Sequence, residues 1–158
     1  MKFSIIFIKE LSGDKASVYS VKYGNKEFSE LQNFLYKFQD NHQDLLNRIF
    51  QRIHLISKRH GVQDSFFRRE SPESHNVFRL MDTDELRLYC IMFSKIVLLF
   101  GSGGKKLRKT KKLDQNPYLD AEVTRLMKIE DAINFQIRRG TIALTSQALE
   151  GDLDNLEF

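Results

Sequence analysis

A chain of 158 residues, 41% hydrophobic and 11% aromatic, can bury one core without metal or disulfide support, which excludes global disorder and predicts a single domain over 1–158. Lysine and arginine number 25 against 21 acidic residues, a formal charge of +4, so any pull toward anions depends on where the cations cluster. One cysteine, Cys90, excludes an internal disulfide and suits a reducing compartment.

The opening MKFSIIFIKELSGDK carries too short an apolar stretch for a secretory leader, and no apolar run approaches the ~20 residues that span a bilayer, so a cytoplasmic, membrane-free protein is expected. KFSIIFI and the alternating ASVYSVKYG, joined by the turn residues Ser12, Gly13 and Asp14, predict an N-terminal hairpin extension over 1–24. SELQ at 29–32 has the spacing of a capping box, and Leu31, Phe34, Leu35 and Phe38 follow at helical intervals. Asp40 is placed to cap a second helix bearing Leu45, Leu46, Ile49, Phe50, Ile53 and Ile56, with Gly61 ending it. The short link between the two helices predicts antiparallel packing.

DSFFRRESPESHN, broken by Pro72, reads as a loop or edge segment. Three strands are expected next. NVFRLM alternates, and LRLYCIMF divides Arg87, Tyr89, Ile91 and Phe93 onto one face and Leu86, Leu88, Cys90 and Met92 onto the other. KIVLLF is apolar throughout, as a central strand covered on both faces should be. A last helix begins with Asn116 as cap and Pro117 at its first position, buries Leu119, Val123, Leu126, Ile133 and Ile137, and ends at Arg138, Arg139 and Gly140. Residues 141–158 form an acidic C-terminal tail, read as either a disordered end or a mask folded over the cations. The order ββ-αα-βββ-α implies an α+β fold, its helices packed on one side of an antiparallel sheet.

GSGGKK at 101–106 invites comparison with a phosphate-binding loop. It lacks the G-x-x-x-x-G-K-[ST] spacing, with Leu107 where a hydroxyl is needed, and a nucleoside triphosphatase is excluded. The four histidines, His42, His54, His60 and His75, are scattered and have no ligand spacing, so no metal site or cofactor is expected. Cys90 belongs to an inward strand face, as a core residue. What stands out is the run Lys105, Lys106, Arg108, Lys109, Lys111 and Lys112, directly after a buried strand. By itself it reads equally as a solvated loop. Arg68, Arg69, Arg79 and Arg87 on neighbouring segments can join it on one sheet surface beside Tyr89 and Phe93, and gathered cations call for an anion such as a phosphodiester backbone. The other reading pairs Arg87 with a carboxylate, Glu85 or Glu70, as a structural contact.

LRLYCIMFSKIVLLFGSGGKK resembles the strand pair and glycine-lysine exit of the RelE/ParE superfamily of bacterial toxins, the likeness spanning roughly residues 28 to 135. The resemblance implies a RelE-like domain: two N-terminal helices on one face of an antiparallel sheet, followed by a C-terminal helix. It implies a metal-independent endoribonuclease that cleaves mRNA, often on the ribosome, through the RNA's own 2′-hydroxyl, and that is silenced by a cognate antitoxin, expected to be a helix-turn-helix protein. By position, Arg79 and Arg87 match the family's strand arginines and Lys105 and Lys106 its basic exit, with Tyr89 standing in for the acid or base. Arg68, Arg69, Arg108, Lys109, Lys111 and Lys112 would grip flanking RNA. Met92 stands where this branch favours arginine, which leaves a second reading: a non-catalytic regulator of the same fold that binds nucleic acid or a partner protein.

Overall fold

The computed structural model describes residues 1–81, 85–106 and 117–158. The alternating N-terminal segments form β1 (Lys2–Phe7) and β2 (Ser17–Tyr23), antiparallel, with Ile5 opposite Val21. Between them the Ser12 hydroxyl accepts the Val18 amide at 2.9 Å and donates to the Ile8 carbonyl at 2.8 Å, closing the turn.

The capping box then starts α1 (Glu30–Phe38). The Ser29 hydroxyl accepts the Gln32 amide at 3.3 Å, and the Gln32 side chain accepts the Ser29 amide at 2.9 Å. The second helix, α2 (Gln43–Leu55), is capped by His42 rather than Asp40, because its first bond runs from the Leu46 amide to the His42 carbonyl. Asp40 lies in the link. One wide turn, Ile56–His60, ends α2 at Gly61, whose φ of 73° a side chain would oppose.

The segment around Phe67 does form an edge strand, β3 (Phe67–Arg69), followed by β4 (Val77–Leu80), β5 (Leu86–Met92) and β6 (Val97–Lys105). A long helix, α3 (Pro117–Arg139), precedes three short strands, β7 (Ile142–Leu144), β8 (Leu149–Gly151) and β9 (Leu156–Glu157). The predicted cap Asn116 lies outside the described residues.

Seven strands make one mixed, mostly antiparallel sheet in the order β3-β4-β5-β6-β2-β1-β9. The α+β class holds, with two corrections. The N-terminal hairpin is no extension: β2 lies parallel to β6, Val18 opposite Leu98, so that hairpin completes the sheet. The helices do not all share one side. Helices α1 and α2 bury Leu31, Phe34, Leu46, Ile49 and Ile53 against Leu88, Cys90, Leu98 and Phe100 on one face. Helix α3 buries Leu119, Leu126, Ile129 and Ile133 against Tyr89, Ile91, Val97 and Leu99 on the other. Strand β6 is therefore covered twice, which is why KIVLLF carries no polar alternation.

The glycines after that apolar run are strand residues of β6, each placed where a side chain would collide. A Cβ on Gly101 would lie 2.7 Å from Leu126 Cδ2, and one on Gly104 3.0 Å from Tyr118 Cε1, so both let α3 approach. Gly103 faces Leu88 where the β5–β6 register shifts at a bulge.

Two carboxylates interrupt the apolar side of α3, where Val123 and Ile137 are only partly buried. Glu130 accepts the Asn76 amide and side-chain amide at 2.8 and 2.9 Å, fixing the start of β4. Glu122 accepts the Ser102 amide at 3.0 Å and lies 3.6 Å from Arg125. Burial raises the Glu122 carboxyl above its usual range, opposed by the Ser102 bond and Arg125, and burial with the nearby Glu122 charge raises Glu30. Stability stored in such protonated carboxyls is fully present below the ordinary carboxylate range and is lost as pH rises through the raised values. The melting temperature of the protein is therefore expected to fall more between pH 5 and pH 7.5 than that of Glu122→Gln. Parallel slopes in a thermal scan series would show that Glu122 titrates normally.

The C-terminal tail does not drift, and its described strands pair with β1 and with each other rather than with β3, β4 or β5. Tyr19 donates its hydroxyl proton to the Leu149 carbonyl at 3.2 Å and accepts the Leu149 amide at 3.0 Å, and β9 pairs with β1 through Phe3 and Leu156. The tail thus closes the β1 edge, while β3 forms the opposite edge of the sheet.

Candidate nucleic-acid interface

Strand pairing lines up three of the predicted residues. Arg68 on β3 is the register partner of Arg79 on β4, and Arg79 of Tyr89 on β5, so all three share the α3 face. Arg87, two residues before Tyr89, joins them and hydrogen-bonds its phenol. The row passes from the surface inward: Arg68 is exposed, whereas Arg79, Arg87 and Tyr89 are 2%, 4% and 1% exposed.

A carboxylate belongs to this cluster. Glu70 Oε1 lies 3.4 Å from Arg79 Nε, both side chains almost fully buried, and Arg79 also reaches the Met81 sulfur at 3.5 Å. Glu70 thus pairs with Arg79 rather than with Arg87. Burial pushes the Tyr89 phenol up, and the Glu70 charge adds to that; the Arg87 hydrogen bond and the two guanidinium charges oppose it. Among the described residues the cluster holds three guanidinium groups and one carboxylate.

Other predicted members lie elsewhere. Arg69 follows the opposite strand parity: its guanidinium stacks 4.7 Å over the Phe78 ring and donates to the carbonyls of Pro72 and His75, bracing the turn before β4. Lys105 is the register partner of Leu86, which places it on the α1–α2 face, where it lies 3.7 Å from Glu85. Lys106 follows the strand, its amide bonded to the Glu85 carbonyl at 2.8 Å. Arg108, Lys109, Lys111 and Lys112 lie outside the described residues. Cys90 is fully buried among apolar side chains, and burial raises its thiol, so it stays protonated and inert.

Sequence reading missed one neighbour of the cluster. Gly104 is the register partner of Arg87, and the bare backbone there accommodates the ring of Tyr118 from the first turn of α3. Nothing local marks Tyr118, because its role depends on a glycine on another element. Among the described residues no group of three His, Cys, Asp or Glu side chains converges as a metal site, and no helix is long and apolar enough to cross a membrane. His75 instead pairs with Asp131 at 2.9 Å. No known protein family, curated protein or solved structure matches this chain.

Proposed function

We propose that this chain binds the phosphodiester backbone of single-stranded RNA at the β3–β4–β5 face, as the likeness to RelE-type toxins implies. The observation that carries the reading is the aligned row Arg68–Arg79–Tyr89 with Arg87 beside it. Guanidinium groups suit this ligand because their planar forks bind phosphate oxygens in pairs and are less strongly hydrated than ammonium groups. Arg68 supplies the exposed first contact.

Binding measured by fluorescence anisotropy on a single-stranded RNA should weaken steeply between about 50 and about 200 mM salt. Arg68→Ala, which alters an exposed side chain, should reduce the slope of log affinity against log salt by about 0.7. Arg87, 4% exposed, acts through its charge rather than by contact, so Arg87→Ala should weaken binding by less than about tenfold and less at high salt. RNA affinity that is absent or indifferent to salt would sink the proposal.

Tyr89 favours a second reading, a RelE-like endoribonuclease. Its phenol is held by Arg87 and is 1% exposed beneath α3, so donating a proton to a leaving 5′-oxygen requires this face to open; the guanidinium groups would then steady charge on the phosphorus. Glu70, 6% exposed in its pair with Arg79, is the carboxylate that the same opening would bring to the attacking 2′-hydroxyl. The products are a 2′,3′-cyclic phosphate and a 5′-hydroxyl. This reading brings with it the ribosome as the place of cleavage and an antitoxin that covers the face. Incubation with message-bearing ribosomes, followed by mapping of new 5′ ends, distinguishes the two. Cutting that Tyr89→Phe abolishes with RNA affinity intact supports the enzyme; intact message supports binding alone.

A further inference from the structure

We infer that Tyr118 and Lys37 form a nucleobase-stacking platform beside the arginine cluster, a subsite that deepens the RNA-binding reading and rests on it. Tyr118 is 52% exposed although it is a large aromatic in the first turn of a helix. Its ring edge rests on β6 at Gly104, where a Cβ would come within 3.0 Å of Cε1 and 3.2 Å of Cδ1. Lys37 Nζ lies 4.6 Å from the ring centroid, a cation–π contact between α1 and α3. Tyr36, next to Lys37 in the chain and 47% exposed, is braced edge-on by Phe28 at 5.0 Å between centroids. An aromatic surface, held by a glycine on one side and a lysine on another, is thus kept in solvent rather than folded into the core.

The occupant follows from what lies next to it. Gly104 and Arg87 are directly opposed across an antiparallel pair, about 5 Å between backbones. The Tyr118 ring at Gly104 therefore sits on the face that carries the buried Arg87, and the exposed Lys37 beside the ring is the cation within reach of the phosphate of a stacked base. Stacking on tyrosine tolerates any base, because every base offers a flat π-face, and Lys37 adds a cation for the neighbouring phosphate. The sheet row holds backbone, and the platform holds a base.

The test compares two probes on the full chain: a single-stranded RNA of about 12 nucleotides, within the site sizes of stacking proteins, and an abasic ribose-phosphate strand of equal length. Tyr118→Ala should lose about tenfold in affinity for the RNA, the effect of one lost stacked base, and nothing for the abasic strand. Tyr118→Phe should keep both affinities, since it preserves the ring, and unchanged melting of both variants shows that the fold is intact. Equal losses for the two probes, or no loss for either, would overturn the platform while leaving backbone binding standing. A wild-type protein that binds neither probe would overturn the RNA reading itself and the platform with it.

Discussion

Gly103→Ala is expected to lower the free energy of unfolding by about 3 kcal/mol, at the upper end of what overpacking usually costs. The added methyl would lie 1.7 Å from the Arg87 carbonyl oxygen, 2.7 Å from its carbon and 2.9 Å from Leu88 Cα. All three atoms are backbone of β5, so no rotamer change relieves the contact; the strand itself must move. It must do so beside the bulge between Leu88 and Cys90, in the stretch that carries Arg87 and Tyr89. Gly104→Ala provides the contrast, because its nearest atoms belong to the Tyr118 and Leu119 side chains, which can yield. Urea titration of the three proteins gives the measurement, with the m-value checking that the denatured states compare. A Gly103→Ala protein within about 0.5 kcal/mol of the parent, the usual range for an innocuous surface change, would show that β5 and β6 do not approach this closely.

Glu70→Gln is expected to act in opposite directions on stability and on RNA affinity. Glu70 and Arg79 form an ion pair almost wholly removed from water. Taking the charge from one member of such a pair costs about 3 kcal/mol, because the remaining charge stays buried with less to offset it. The same change removes the one carboxylate among the described groups of the cluster, and RNA binding should tighten. If the proposed cleavage operates, it should be lost at the same time, since the proton acceptor is gone. Replacing both partners by apolar residues, Glu70→Leu with Arg79→Met, should recover much of the lost stability, since neither charge then needs solvating, while RNA affinity falls. Glu70→Gln that weakens RNA binding as much as Arg79→Met does would assign the pair to scaffolding alone.

The elements themselves were legible because they depend on neighbours in the chain. The capping box at Ser29, the alternation of Leu86–Met92 and the unbroken apolar run of β6 each formed as their spacing required. Strand parity also put Arg87 and Tyr89 on one face before any partner strand was known. The Asp40 cap places α2 two residues early, since side-chain preference for a cap yields to where the first backbone bond closes.

Parity cannot choose which face a later strand presents, and so the proposed gathering of cations was only half realised. Arg79 joined Arg87 through antiparallel register, but the bulge in β6 and the pairing of Lys105 with Leu86 sent that lysine to the other face, toward Glu85. The glycines of GSGGKK, whose spacing already excludes a phosphate-binding loop, are clearance for α3 and for β5, a need created by elements distant in sequence. The chain alone determined its helices, most of its strands and the shared face of Arg87 and Tyr89, because local backbone geometry dictates those. Only the tertiary structure decided that β2 would run parallel to β6, that α3 would take the face opposite α1 and α2, and that Glu70 and Tyr118 would meet the arginines, because each depends on register and packing between segments far apart in the chain.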